Sequence, residues 1–103
     1  MKASYAGFNP KYHEDAPSME DLAALNSYAV LEFGATWCAH CKAAAPVIES
    51  VLAKTNLPHI KVFDGKGKRL GRAFQVKLWP TLILLESGKE LARIVRPLEA
   101  KEI

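Results

Sequence analysis

A chain of 103 residues, half of them apolar and about a quarter charged, has the composition of one globular domain. That composition excludes a disordered tail, a collagen-like fibre and a long coiled coil. Fourteen basic and eleven acidic side chains leave a net charge of +3, too small to argue for nucleic acid without a localised patch. No apolar run approaches the roughly 20 residues of a membrane span, and residues 1–7 lack the apolar stretch of an export signal. The chain as written is therefore expected to be soluble, cytoplasmic and monomeric, with a periplasmic or exported domain that has lost its leader as the alternative.

In chain order, a weak first strand precedes a short helix over about residues 19–26, capped by Ser18 with Asp21 reaching back. Residues 28–33 are a strand apolar on both faces, as in sheets covered on both sides. A helix follows from Cys41 through Lys54, with Ala44, Val47, Ile48, Val51 and Leu52 at helical spacing and Pro46 inside it as a kink. Residues 59–63 form a short strand and residues 68–76 a small helix. Residues 81–85 are the strongest strand, turned tightly by residues 86–89 into an edge partner over residues 90–95. A last helix starts at Leu98 and stops at Ile103, short or truncated. This order predicts an α/β domain spanning residues 1–103, a mixed sheet with helices on both faces. The basic run at residues 66–72 has no aromatic residue to stack on a base and is expected to be a solvated helix face.

Two cysteines remain, Cys38 and Cys41. As a staple the pair is poor, because on chain-entropy grounds a four-residue loop gives roughly 2 kcal/mol against roughly 4 for fifty residues. Their location between a buried strand and a helix start suggests chemistry instead. The unpaired N–H groups and partial positive charge of a helix N-terminus favour a thiolate at Cys38, which is expected to be the exposed nucleophile. Cys41, one turn on and within disulfide reach, is expected to be the more buried, resolving thiol. A zinc or copper site built on Cys38, Cys41 and His40 is the competing reading; it lacks the fourth ligand and second pair that zinc wants. A binding module without turnover is another. His13 and His59 have no ligand-like spacing and are expected to be solvated.

Trp37-Cys38-Ala39-His40-Cys41-Lys42, with Pro46 five residues after the second cysteine, Trp79-Pro80-Thr81 before the last hairpin and Ser87-Gly88 in its turn, resembles the thioredoxins from about Ser18 to Ile103. The resemblance implies the thioredoxin fold and a thiol–disulfide oxidoreductase that needs no cofactor beyond its Cys38–Cys41 disulfide. Its partners would be protein thiols and disulfides and a recycling reductase. Glu32 matches a buried Asp that exchanges protons with the resolving thiol, and an elevated pKa is expected of it; an edge residue facing solvent is the bland alternative. Lys61 matches the family's partner lysine only after a one-residue deletion and is otherwise a plain strand residue. His40 stands where thioredoxins proper carry proline. Its partial positive charge would favour the Cys38 thiolate and make the disulfide more oxidising. Pro80, if cis, would present the backbone of Trp79 to a peptide. Bulky Trp79 and the Arg96-Pro97 pair depart from the family pattern and would, with Trp37, narrow or recharge the groove.

Overall fold

The computed structural model describes residues 3–65 and 69–97. Its elements are β1 (Ser4–Ala6), α1 (Met19–Ala23), β2 (Tyr28–Gly34), α2 (Ala39–Leu52), β3 (Pro58–Phe63), α3 (Arg69–Ala73), β4 (Thr81–Glu86) and β5 (Lys89–Val95). Five strands form one mixed sheet in the order β1-β3-β2-β4-β5, with β2 and β3 parallel and the other pairs antiparallel. The predicted final helix from Leu98 lies outside the described residues.

Side chains alternate across the strands, and the alternation divides the core between two faces. Leu31 and Phe33 of β2, Ile60 and Val62 of β3 and Ile83 and Leu85 of β4 pack with Leu22 of α1, with Leu70 of α3 and with Phe74 just after it. Val30 and Leu82 point to the other side and meet Ala44, Ile48 and Leu52 of α2. The expectation of helices on both faces is met. By the same alternation Glu32, His59 and Lys61 belong to the α2 face.

Local signals set the helix ends. Ser18 Oγ accepts the N–H of Asp21 at 3.0 Å and Asp21 Oδ2 accepts the N–H of Ser18 at 3.0 Å, a reciprocal capping box. The helix is shorter than expected because its last turn tightens, Leu25 N–H bonding the carbonyl of Leu22 at 3.2 Å. The helix α3 closes with Gln75 at φ 55°, Val76 N–H returning to Gly71 O and Gln75 N–H to Arg72 O, a Schellman arrangement that ends it before the expected residue 76. Leu70 and Gly71 are buried while Arg69 and Arg72 are exposed, so the basic run is solvated on one side only; its first three residues lie outside the described part. Ser87 at φ 50° and Gly88 at φ 83° make the two-residue hairpin turn, whose handedness needs positive φ at both positions. A β-carbon on Gly88 would also stand 2.6 Å from the Cα of Ala23.

The segment between β1 and α1 is pinned to the sheet edge. His13 N–H donates to Lys61 O at 3.0 Å and His13 O accepts from Phe63 N–H at 2.8 Å, forming a parallel bridge with Val62. That bridge fixes where the preceding residue, Tyr12, enters the molecule. His13 is therefore partly buried and held by its backbone, a correction to the solvated residue expected.

Candidate active site

Cys38 is the N-cap of α2, in extended conformation at φ −83° and ψ 118°, and its sulfur accepts the backbone N–H of Cys41 at 3.2 Å. The strand-to-helix junction thus aims an orphan donor at the sulfur where negative charge develops. Both thiols are free. Cys38, expected to be exposed, is instead buried at 8% accessible, little more open than Cys41 at 4%. The reason is its cover: Ala35, Cys38 and Cys41 cluster together with Tyr12, Phe63 and Trp79 packed against them. Burial pushes the Cys41 thiol up to about 11, helped by its hydrogen bond with Cys38, while the Ala35 backbone and the Tyr12 side chain pull the other way.

His40 is exposed on the first turn of α2, two residues beyond the Cys38 sulfur's own position in the chain. The peptide bond between Trp79 and Pro80 is cis, as the sequence suggested. Trp79 meets Trp37 edge to face, with ring centroids 5.3 Å apart, and its indole N–H donates to Asp64 Oδ2 at 3.0 Å. Trp37, the residue before Cys38, is 64% accessible. Arg96 has φ 54°, a backbone conformation that favours glycine, and its Nε donates to the carbonyl of Trp79 at 2.8 Å. Its own N–H donates to Pro80 O at 2.9 Å. Arg96 thus ties a cation to the backbone of Trp79, whose side chain packs against the cysteines.

Beneath α2 lies the acid. Glu32 is 1% accessible, which overturns the solvent-facing alternative. Its Oε2 accepts from the Tyr12 hydroxyl at 2.7 Å, and its Oε1 lies 2.7 Å from His59 Nε2. The tautomer of His59 follows from its other side, because Nδ1 accepts the backbone N–H of Asn9 at 2.9 Å and so leaves the proton on Nε2. His59 is fully buried, not solvated as expected; the parallel register that sets Val30 beside His59 and Glu32 beside Lys61 places both residues on the α2 face. Asn9 completes the support, its amide donating to the carbonyls of Ala3 at 2.7 Å and His59 at 3.0 Å.

Lys61 is buried in register with Glu32, but its Nζ sits over aromatic rings, 4.3 Å from the Tyr12 centroid and 5.4 Å from that of Phe8. The hydrogen-bond partners of the carboxylate are Tyr12 and His59 instead. Sequence reasoning missed Tyr12, Asn9 and the role of His59. A histidine two residues before Lys61 on a strand with one polar face was the available signal. Among the described residues no group of three or more His, Cys, Asp or Glu side chains is placed to hold a metal ion. Nor, among them, is any helix long and apolar enough to cross a membrane.

Comparison with known proteins agrees with this geometry. Residues 10–103 match the family model described as Thioredoxin. The thioredoxin of Mycobacterium tuberculosis is 37% identical over 83 residues, covering 79% of this chain and 72% of that protein. A protein disulfide-isomerase of Triticum aestivum is 33% identical over 96 residues, 85% of this chain and 19% of that one. The solved structure of thioredoxin 2 from Pseudomonas aeruginosa in its reduced form superposes with a TM-score of 0.79 at 47% identity, covering 88% of this chain and 85% of that chain. A paired thiol on a helix start, a cis-proline beside it, a mixed five-stranded sheet and a family match across most of the length converge: the chain belongs to the thioredoxin family of thiol–disulfide oxidoreductases.

Proposed function

We propose that the chain exchanges disulfides with protein substrates through the Cys38–Cys41 pair, at a potential more oxidising than that of thioredoxin. The observation that carries the reading is the Cys38 sulfur held as N-cap of α2 by the Cys41 N–H, one helical turn from its resolving partner. The Cys38 thiolate attacks one sulfur of a substrate disulfide, forming a mixed disulfide and releasing the other substrate sulfur as thiolate. Cys41 then loses its proton and attacks Cys38, closing the Cys38–Cys41 disulfide and expelling the reduced substrate. Two electrons pass from the protein dithiol to the substrate, and the reverse sequence oxidises a substrate dithiol.

His40 supports the more oxidising direction. Positive charge on the exposed first turn stabilises the reduced thiolate form, which makes the disulfide the better oxidant; about 30 mV corresponds to ~1.4 kcal/mol. Thioredoxins work without a bound cofactor and are recycled by a reductase, and a reductase or an equivalent thiol partner would recycle this pair. Protein substrates would approach over Trp37 and Trp79, where Arg96 restricts access to the Trp79 carbonyl. Turbidity from insulin disulfide reduction tests the activity: wild type precipitates the freed chains in the presence of dithiothreitol, and Cys38→Ser abolishes the acceleration. Equal turbidity from Cys38→Ser would refute the assignment.

A further inference from the structure

The resolving step requires Cys41, only 4% accessible, to shed a proton, and the acid that would take it is Glu32. The atom standing between them is the hydroxyl oxygen of Tyr12. It donates to Glu32 Oε2 at 2.7 Å. The same hydroxyl and the Cys41 sulfur converge on Gly34, where a β-carbon would lie 2.8 Å from the sulfur and closer still to the hydroxyl oxygen. The absence of a side chain at Gly34 is what lets thiol and phenol meet. We infer that Tyr12 is the proton relay of the resolving step, passing the Cys41 proton to Glu32 through its hydroxyl, and that His59 positions the carboxylate to receive it.

The hydrogen-bond pattern makes the transfer balanced. In the resting state the Tyr12 O–H points at Glu32 and its lone pairs face the thiol. As Cys41 attacks Cys38, its proton passes to the Tyr12 oxygen and the phenolic proton passes to Glu32 Oε2. Tyr12 is unchanged, Glu32 is neutral and the substrate leaves as thiolate, later reprotonated by Glu32 or solvent. His59 cannot compete for the proton without losing the Asn9 N–H from Nδ1, so it remains a donor to Oε1 throughout. Burial and the neighbouring Glu32 hold the Tyr12 phenol far above its ordinary range, so it passes protons and does not dwell as phenolate. The titratable and charged groups around the relay are Glu32 on β2, His59 and Lys61 on β3, and Cys41 and Cys38 on α2. Tyr12, Cys41 and Lys61 themselves line a surface pocket of about 420 Å³ to which Lys11 and Lys42 also contribute, while β4 offers only Leu82 opposite Glu32. Lys61 over the Tyr12 ring disfavours rotation of the phenol out of line.

This assignment rests on the reading that Cys41 resolves a Cys38 mixed disulfide, and the test separates the two. Mixed disulfide is formed with a chromogenic aryl disulfide and its resolution followed by stopped flow, in wild type, Tyr12→Phe, Glu32→Gln and the double variant, with Cys41→Ser to trap the intermediate. Failure to trap any mixed disulfide on Cys38 removes the underlying reading. If it is trapped, Tyr12→Phe should slow resolution at pH 7 about a hundredfold, the scale of general acid–base catalysis. Glu32→Gln should slow it comparably, and the double variant no further. The deficit of Tyr12→Phe should close as pH rises toward about 11, where Cys41 ionises to solvent directly. A proton inventory on wild type in mixed light and heavy water, independent of any variant's folding, should be curved, with two hydrogens in flight. Resolution within twofold of wild type, a deficit equal at every pH, or a linear inventory would each overturn the relay.

Discussion

His59 Nε2 lies 2.7 Å from Glu32 Oε1 in a site where both side chains are shut off from solvent. The pair is held from behind, because Asn9 N–H occupies His59 Nδ1. Replacing His59 with Phe would leave a buried carboxylate oxygen and a buried N–H unpaired at once. The expected loss of unfolding free energy is on the order of 3 kcal/mol, read from urea unfolding of the reduced protein. A loss under about 0.5 kcal/mol, the range of ordinary surface substitutions, would mean that the histidine does not hold the acid.

The elevated Cys41 pKa ties stability to pH. Its folded value is pushed up to about 11 from an ordinary 9.0, so between those values the unfolded chain sheds a proton that the folded chain keeps. The unfolded state then binds fewer protons, and stability falls with rising pH through that window. Below pH 9 the contribution is fully present. The oxidised protein, with no thiol to titrate, lacks this loss. Melting temperatures of both forms from pH 8 to 11 should therefore diverge, the reduced form dropping relative to the oxidised; parallel curves would contradict the assignment.

Arg96 combines backbone strain with a hydrogen bond to the Trp79 carbonyl. A non-glycine residue at φ 54° costs on the order of 1 kcal/mol, and the side chain spends one of its donors on the Trp79 carbonyl. Arg96→Gly relieves that strain but loses the hydrogen bond, so stability should stay within about 1 kcal/mol of wild type, and it should lower KM for protein disulfides by freeing the carbonyl. Small aryl disulfides, which need no backbone pairing, should show unchanged kinetics. Unchanged KM for both substrates would refute a gating role.

Gly34 is a steric prediction. Gly34→Ala drives a methyl to 2.8 Å from the Cys41 sulfur and into the Tyr12 hydroxyl, so the sheet or α2 must shift. Overpacking of a closed core costs typically 1–3 kcal/mol, read as a lowered urea midpoint. Resolution of the mixed disulfide should slow as well, since the thiol and phenol are pushed apart.

What the sequence disclosed, and what it hid, follows from range. The Ser18 and Asp21 cap, the Ser87-Gly88 turn and the Cys38 and Cys41 pair are written within a few residues of themselves, and each is where the pattern put it. The buried acid was legible too, because Glu32 interrupts an apolar strand. Its partners were not. Tyr12 and His59 are 20 and 27 residues away from Glu32, and they meet it only because His13 bridges to Val62 and β3 runs parallel to β2. A solvated His59 was the natural expectation of spacing alone, since no local rule says which face of a six-residue strand will be covered. The same holds for Cys38, whose cover of Tyr12, Phe63 and Trp79 is gathered from three distant segments.

The proposed function sets the redox-active Cys38–Cys41 pair at a potential above that of thioredoxin. Equilibrating the protein in graded glutathione buffers and counting alkylated thiols by mass spectrometry tests it most directly. The expected result is a single two-electron transition to an intramolecular disulfide, lost in either single serine variant, with a midpoint above thioredoxin's value of about −270 mV, and a shift back toward that value in His40→Pro. A midpoint at thioredoxin's value would contradict the role given to His40, and failure to form the intramolecular disulfide at any ratio would contradict the whole.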